Sequence, residues 1–205
     1  MLDEKTKREI STALVDFGTI KFGEFKLTSG KESTYYIDLR TIPSHPDLFQ
    51  KIVKIYTKKA EEIGLNNFDV VAGIPTSGMI YASILAYNLQ KPFIYVRKET
   101  KDWGEKRKIE GKMEKGDKVL LVDDLITTGK SIVEAVQTIR KEGGEVNHAL
   151  VLIDREEGGR ERLKKEKVEL HCFLRIREAL NFLIEEGKLN EAEYNKIIQQ
   201  IKGKS

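Results

Sequence analysis

The chain has 205 residues, of which 40% are hydrophobic and 34% charged, a composition typical of a folded domain rather than of a disordered segment. The net charge of +3 does not indicate a dedicated nucleic-acid-binding protein. No apolar run approaches the roughly 20 residues that cross a bilayer, and no secretory signal is visible. We therefore expect a cytoplasmic protein with no nucleic-acid or membrane partner, and the single cysteine, Cys172, excludes an intramolecular disulfide and a cysteine-based zinc cluster.

The first 45 residues predict a helix followed by two strands. Ile10, Leu14 and Phe17 recur at helical spacing within residues 3–17. Two strand-like stretches, "FGEFKLTSG" and "TYYIDLR", then meet at a Ser-Gly turn.

From Pro46 onwards, predicted helices and strands alternate. The predicted helices cover residues 46–62, 77–90, 130–141 and 190–202. The predicted strands are apolar runs at residues 68–75, 92–98, 118–124, 146–156 and 168–176. Apolar strands between helices favour an α/β fold with a mostly parallel central sheet flanked by helices.

Ligands of such sheets bind at the carboxyl ends of the strands. This rule predicts that four short segments share one rim of the sheet. They are residues 76–78, 97–98, 123–124 and 154–155.

Residues 98–117 interrupt the alternation, because they are mostly charged and yet connect two predicted strands. Long connections without secondary structure are uncommon inside compact domains and are often lids or binding loops. We expect a mobile loop here, and a solvated linker is the alternative.

The stretch "VLLVDDLITTGKS", at residues 119–131, ends with the letters of a nucleotide-binding P-loop. A P-loop requires a glycine five positions before Gly129, where this chain has Asp124. An acid at that position would repel a triphosphate. The motif therefore excludes a P-loop ATPase or GTPase.

The same stretch suits a phosphoribosyl group. Asp123 and Asp124 end an apolar strand, and carboxylates there can accept hydrogen bonds from vicinal sugar hydroxyls or from water around Mg²⁺. Thr127, Thr128 and Ser131 then precede or begin a helix, whose first N–H groups can bind a phosphate.

This stretch resembles the phosphoribosyl-pyrophosphate (PRPP) binding motif of type I phosphoribosyltransferases. The stretches "FGEFKLTSGKESTYYIDLR", "RKETKDWGEKRKIEG" and "LIDREEGGRERL" further resemble the orotate phosphoribosyltransferase family. The resemblance implies one phosphoribosyltransferase domain over residues 1–205, with a small N-terminal hood at about residues 1–45 that contributes to the base site and a mobile catalytic loop at about residues 98–117. It also implies Mg²⁺-dependent transfer of phosphoribose from PRPP to orotate, which yields orotidine 5′-monophosphate and pyrophosphate in pyrimidine synthesis.

The resemblance implies three overlapping sets of site residues. The catalytic set is Lys101, Asp102, Asp123 and Asp124. The PRPP-binding set is Arg97, Lys98, Lys101, Asp123, Asp124, Leu125, Ile126, Thr127, Thr128, Gly129, Lys130 and Ser131. The orotate-binding set is Lys26, Tyr36, Ile37, Thr127 and Arg155. No dedicated metal ligand is expected: PRPP carries the Mg²⁺, which Asp123 and Asp124 reach through water. The resemblance further implies a homodimer with shared active sites.

Two positions depart from the family pattern. Thr28 stands where the family commonly has lysine, and Lys26 lies two residues earlier on the same face of the strand. Trp103 stands where bacterial members often have histidine, so no histidine is proposed there.

Several alternatives stay open. The chain could act on another nucleobase, or be a transcriptional regulator with this fold. Tyr36 and Ile37 could be ordinary strand core, and Arg155 could pair with Glu156 or Glu157. His45, His148 and His171 occur in unrelated contexts, and we interpret all three as structural.

Overall fold

The computed structural model describes residues 3–26, 32–97 and 108–203. Its helices are α1 (Glu4–Asp16), α2 (Pro46–Ile63), α3 (Ser77–Leu89), α4 (Lys130–Lys141), α5 (Gly159–Lys165), α6 (Ile176–Glu185) and α7 (Glu191–Lys202), with a short 3₁₀ helix at Leu39–Ser44. Its strands are β1 (Ile20–Lys26), β2 (Glu32–Ile37), β3 (Val70–Gly73), β4 (Phe93–Val96), β5 (Ile109–Glu110), β6 (Lys118–Val122), β7 (Leu125–Ile126), β8 (Glu145–Asp154) and β9 (Glu169–Arg175).

Seven strands form the central sheet in the order β5-β4-β3-β6-β8-β7, and β9 pairs with the other side of β8. Every pair in this sheet is parallel except β4 with β5. The expected α/β fold with a mostly parallel sheet is confirmed. β3 and β6 are neighbours, so the loops that follow them open at the same edge of the sheet.

Two apolar clusters cover the two faces of this sheet. Side chains of α2, α3 and α6 pack on one face, around Leu120, Val122 and Leu150. Side chains of α4 and α5 pack on the other, around Leu121 and Ala149. Alternate residues of the same strands supply the two clusters, as expected for strands buried on both faces.

β1 and β2 form a separate antiparallel pair beside the central sheet. α7 packs against β2, where Gln200 Oε1 accepts a hydrogen bond from the Thr34 N–H at 2.7 Å. The N-terminal helix α1 packs against α6. These contacts hold the two-stranded unit, which we call the hood (residues 20–26 and 32–37), in place.

The predicted helices agree with the structure to within a few residues, and α4 has the predicted bounds. The predictions missed the 3₁₀ helix, β7, α5 and α6. Of the predicted loop at residues 98–117, residues 98–107 lie outside the described residues, whereas Ile109 and Glu110 form β5. None of the helices in the described part of the chain is long and apolar enough to cross a membrane.

Candidate active site

A cleft of about 1040 Å³ lies at the carboxyl ends of β3 and β6. Three parts of the chain line it: the loop after β3, the segment from the end of β6 into α4, and the hood with the residues that follow it. The lining residues are Lys21, Phe25, Lys26, Tyr36, Ile37, Asp38, Leu39, Arg40, Ile74, Pro75, Thr76, Ser77, Glu134 and every residue from Asp123 to Ser131.

The two acids lie between β6 and β7, both of which pair with β8. Asp123 Oδ1 accepts a hydrogen bond from the Asp124 N–H at 3.0 Å, and Asp124 Oδ1 accepts one from the Leu125 N–H at 2.9 Å. Burial raises the pKa of Asp124, although hydrogen bonds from Leu125 and Ser77 oppose the shift. The pair therefore presents oxygen acceptors to the cleft from one buried and one half-buried carboxylate.

The start of α3 packs tightly beneath these acids. A Cβ atom built on Gly78 would lie 2.7 Å from both Asp123 Oδ1 and the Val122 carbonyl oxygen, so only glycine fits at this position. From the other side, the Tyr56 hydroxyl donates to the Asp123 carbonyl oxygen at 2.8 Å. The position of Asp123 is thus fixed by backbone and buried contacts. The Pro75–Thr76 peptide, in the loop leading to α3, is cis.

The segment from Thr127 to Ser131 wraps around the start of α4. Gly129 has φ of 74° and occupies the N-cap position, where no side chain caps the helix. The first N–H groups of a helix have no intrahelical acceptor, and they carry the positive end of the helix dipole. This end of the cleft is therefore suited to a phosphate group.

The hood and residues 38–40, which follow it, supply the opposite wall of the cleft. Tyr36 and Ile37 line it, and the ring of Tyr36 lies 5.7 Å from that of Phe25. Arg40 forms a two-point ion pair with Asp38, at 2.6 and 2.8 Å, and its Nη2 donates to the Tyr36 hydroxyl at 3.2 Å. This wall combines ring surface with the Arg40–Asp38 ion pair, and Lys21 and Lys26 add positive charge to the lining.

Arg155 does not line the cleft with the other predicted orotate-binding residues. Its guanidinium lies 2.9 Å from Glu157 Oε1, and the two side chains are only 8% and 6% exposed. Arg155 Nε donates to the Tyr35 hydroxyl, which donates to Glu157, both at 3.1 Å. Arg155 thus links the end of β8 to the hood, in a buried form of the ion pair that the sequence left open as the alternative.

The remaining predicted residues divide into two groups. Arg97 pairs with Glu110 at 2.7 Å and lines a neighbouring cavity, which shares Ile74, Ser131 and Glu134 with the cleft. Lys98, Lys101 and Asp102 lie outside the described residues. Of the four segments predicted to share a rim, residues 76–77 and 123–124 meet in the cleft.

Sequence reasoning did not select Lys21, Asp38, Arg40, Ser77 or Glu134 as site residues, although all five line the cleft. For Ser77 a signal existed, since it follows a strand at the predicted rim. Arg40 stands at the end of the "TYYIDLR" stretch, but nothing local to the sequence shows that this stretch folds over the carboxyl ends of the sheet.

Comparison with known proteins gives a consistent result. The family described as "Phosphoribosyl transferase domain" matches residues 39–185. The orotate phosphoribosyltransferase of Staphylothermus marinus is 44% identical over 194 residues, which cover 95% of this chain and 94% of that protein.

Two solved structures resemble the fold. The orotate phosphoribosyltransferase of Aeropyrum pernix has a TM-score of 0.72 at 31% identity, over 87% of this chain and 99% of that one. The UMP synthase of Leishmania donovani has a TM-score of 0.84 at 30% identity; the match covers 98% of this chain but only 43% of that longer protein.

Proposed function

The chain belongs to the orotate phosphoribosyltransferase family, and on that premise we propose that it transfers the phosphoribosyl group of PRPP to orotate, giving orotidine 5′-monophosphate and pyrophosphate. The observation that carries this proposal is the meeting of Asp123 and Asp124 with the uncapped start of α4 in one cleft. Acceptors for two hydroxyls beside donors for a dianion match a ribose 5-phosphate.

In this arrangement the 5-phosphate binds the backbone N–H groups and hydroxyls between Thr127 and Ser131. The helix dipole adds to the binding, and each such hydrogen bond to a charged group is worth about 1.5–3 kcal/mol. The ribose hydroxyls then face the carboxylates of Asp123 and Asp124. These contacts hold the C1 carbon in one orientation while the bond to pyrophosphate breaks.

The cleft also fits a metal ion carried by PRPP. Asp123 and Asp124 provide only oxygen acceptors, which suit the water shell that Mg²⁺ retains in proteins. When bound, Mg²⁺ neutralises charge on the departing pyrophosphate. Ser77 and Thr76, at the start of α3, lie where that pyrophosphate would meet a second helix N-terminus.

The hood and the residues that follow it supply the orotate site. Tyr36 and Ile37 offer an apolar surface for the pyrimidine ring, and Lys26 offers positive charge for the orotate carboxylate. Arg40, whose Nε and Nη2 are held by Asp38, offers its Nη1 to the same carboxylate. We propose Arg40 for the role that the sequence assigned to Arg155. Arg155 instead holds the hood against the end of β8 through its buried contacts with Glu157 and Tyr35.

Several features rest on the family resemblance rather than on the described residues. We propose that Lys98, Lys101 and Asp102 act from the loop at residues 98–117, with Lys101 stabilising the charge that develops on pyrophosphate. We likewise propose a single domain, a homodimer with shared sites and a cytoplasmic location. A loop that closes over the site would exclude water, which would otherwise compete with orotate.

The direct test is an acceptor panel. The purified chain is incubated with Mg²⁺ and PRPP, and orotate, uracil, hypoxanthine and adenine are supplied in parallel. We expect loss of orotate absorbance and formation of orotidine 5′-monophosphate, with much slower turnover of the other bases. Turnover of a purine but not of orotate would refute the assignment of the base, and PRPP binding without turnover of any base would favour a regulator.

A further inference from the structure

Two of the three histidines meet on the central sheet, away from the cleft. His148 lies on β8, and Glu169 and His171 lie on β9, its parallel neighbour. His148 pairs in register with Glu169, and alternate residues of a strand share a face, so all three side chains project from the same side. The cluster lies towards the amino ends of these strands, whereas the cleft opens at the carboxyl ends of the sheet.

The donor atoms are close enough to share one ion. His148 Nδ1 lies 3.1 Å from His171 Nε2. A carboxylate oxygen of Glu169 lies 3.8 Å from the first nitrogen, and its other oxygen lies 3.9 Å from the second. One donor atom from each of the three residues lies within 4.8 Å of the others, so small side-chain rotations would bring all three to the roughly 2.0–2.2 Å bond lengths of a Zn²⁺ site.

We propose that His148, Glu169 and His171 form a site for a divalent transition-metal ion such as Zn²⁺, which clips β9 to β8. Three protein ligands leave a fourth position for water. The side chain of Glu169 is 68% exposed, while those of His148 and His171 are 21% and 14% exposed. The ion would thus enter from solvent, and the two imidazoles would hold it against the sheet.

The surroundings permit a cation despite nearby basic residues. Lys59 and Arg160, which face His171, are paired with Glu62 at 2.9 Å and with Asp154 at 3.1 Å. Neutral imidazole is the form that binds a metal, so both histidines must be unprotonated in the metal-bound site.

Without a metal, the two imidazoles can simply hydrogen-bond to each other, as one neutral ring donates to the other. Metal titration distinguishes the two arrangements. The full chain carries no histidine tag and is first stripped of metal with a chelator. It is then titrated with Co²⁺ in the presence of excess Mg²⁺, which occupies acidic sites in the cleft. Visible absorption reports tetrahedral coordination, and Zn²⁺ is then added as a competitor.

The variants are His148→Asn, His171→Asn and Glu169→Gln, with His45→Ala as the matched control. His45 stacks on Phe17, far along the chain from the cluster. We expect one Co²⁺ per chain, displaced by Zn²⁺, in the parent and in His45→Ala. Either asparagine variant loses the absorption bands, and Glu169→Gln weakens binding by about tenfold or more.

Two outcomes would overturn the proposal. One is the absence of tetrahedral Co²⁺ bands in the parent protein. The other is binding that survives unchanged in His171→Asn or Glu169→Gln. Because Glu169 is largely exposed, its substitution leaves the fold intact and keeps the test decisive even if a histidine variant folds poorly.

Discussion

Substitution of Gly78 by alanine should damage the cleft by forcing neighbouring atoms to move a fraction of an ångström. The added Cβ would lie 2.7 Å from Asp123 Oδ1, 2.7 Å from the Val122 carbonyl oxygen and 2.9 Å from Asp123 Cα. Ordinary contacts of carbon with such atoms are at least about 3.2 Å, so either α3 or the end of β6 must move by about 0.5 Å. Two of these three atoms belong to the backbone, so rotation of the Asp123 side chain alone cannot absorb the shift.

Two effects follow, and they are measurable separately. Overpacking of this kind costs about 1–3 kcal/mol of unfolding free energy, which urea denaturation would report. Displacement of Asp123 would lower kcat/KM by about 10- to 100-fold, because small misplacements of a substrate-binding group weaken transition-state stabilisation. Steady-state kinetics with PRPP and orotate, on protein shown to be folded, measures this second effect.

Two glycines provide matched controls. At Gly144 a Cβ would also clash, with Met113 Sδ at 2.7 Å and Ile139 Cγ2 at 2.8 Å, but neither residue lines the cleft. Gly144→Ala should therefore lose stability, by less than Gly78→Ala because the Met113 side chain can shift, and keep its kcat/KM. At Gly203 the nearest atom is 3.6 Å away, so Gly203→Ala should change neither. Equal losses of kcat/KM in Gly78→Ala and Gly144→Ala would refute the reasoning.

Three further predictions concern the cleft and the hood. Burial raises the pKa of Asp124, so the native carboxyl holds its proton more tightly than the unfolded chain does, and the parent's free energy of unfolding falls as pH rises between the two pKa values. Asp124→Asn should lower turnover by about 10²-fold or more. Urea denaturation from acidic to neutral pH should show the variant gaining stability relative to the parent as pH rises. A constant difference in stability across that range would contradict it. Tyr35→Phe removes the buried hydroxyl that joins the hood to the end of β8, and should lower the free energy of unfolding by about 1–3 kcal/mol in thermal or urea denaturation. Tyr87→Phe, at a ring that is 83% exposed, should change that free energy by less than about 0.5 kcal/mol. Equal effects of the two substitutions would count against the buried link. Arg40→Ala should raise the KM for orotate by about tenfold and leave the KM for PRPP nearly unchanged. Arg40→Lys should give a KM for orotate between those of the parent and Arg40→Ala. An unaltered KM for orotate in Arg40→Ala would remove Arg40 from the base site.

Local patterns in the sequence were sufficient for the main layers of the fold. Apolar strands followed by helices predicted the parallel sheet. The two carboxylates and the phosphate loop both lie within one contiguous segment, from Asp123 to Ser131. The acids and the phosphate loop were therefore identifiable without tertiary information. The structure brings Thr127 and Gly129 to the same cleft as Asp124, as expected.

Long-range contacts account for what the sequence did not reveal. Arg155 ends a strand and looked available to a ligand, but the hood, more than 100 residues earlier, supplies the Tyr35 that buries it. His148 and His171 are 23 residues apart and looked unrelated. Only the parallel register of β8 and β9 brings them together, and register depends on the whole sheet rather than on local residues.

The central claim is that one cleft binds the phosphate, the ribose and the base through the residues named above. A crystal structure of the protein with orotidine 5′-monophosphate tests it most directly. The account predicts the phosphate at residues 127–131, the ribose hydroxyls on the carboxylates of Asp123 and Asp124, and the pyrimidine ring against Tyr36 with its carboxylate near Arg40 or Lys26. A nucleotide whose phosphate lies away from residues 127–131, or whose ribose makes no contact with either acid, would contradict the account.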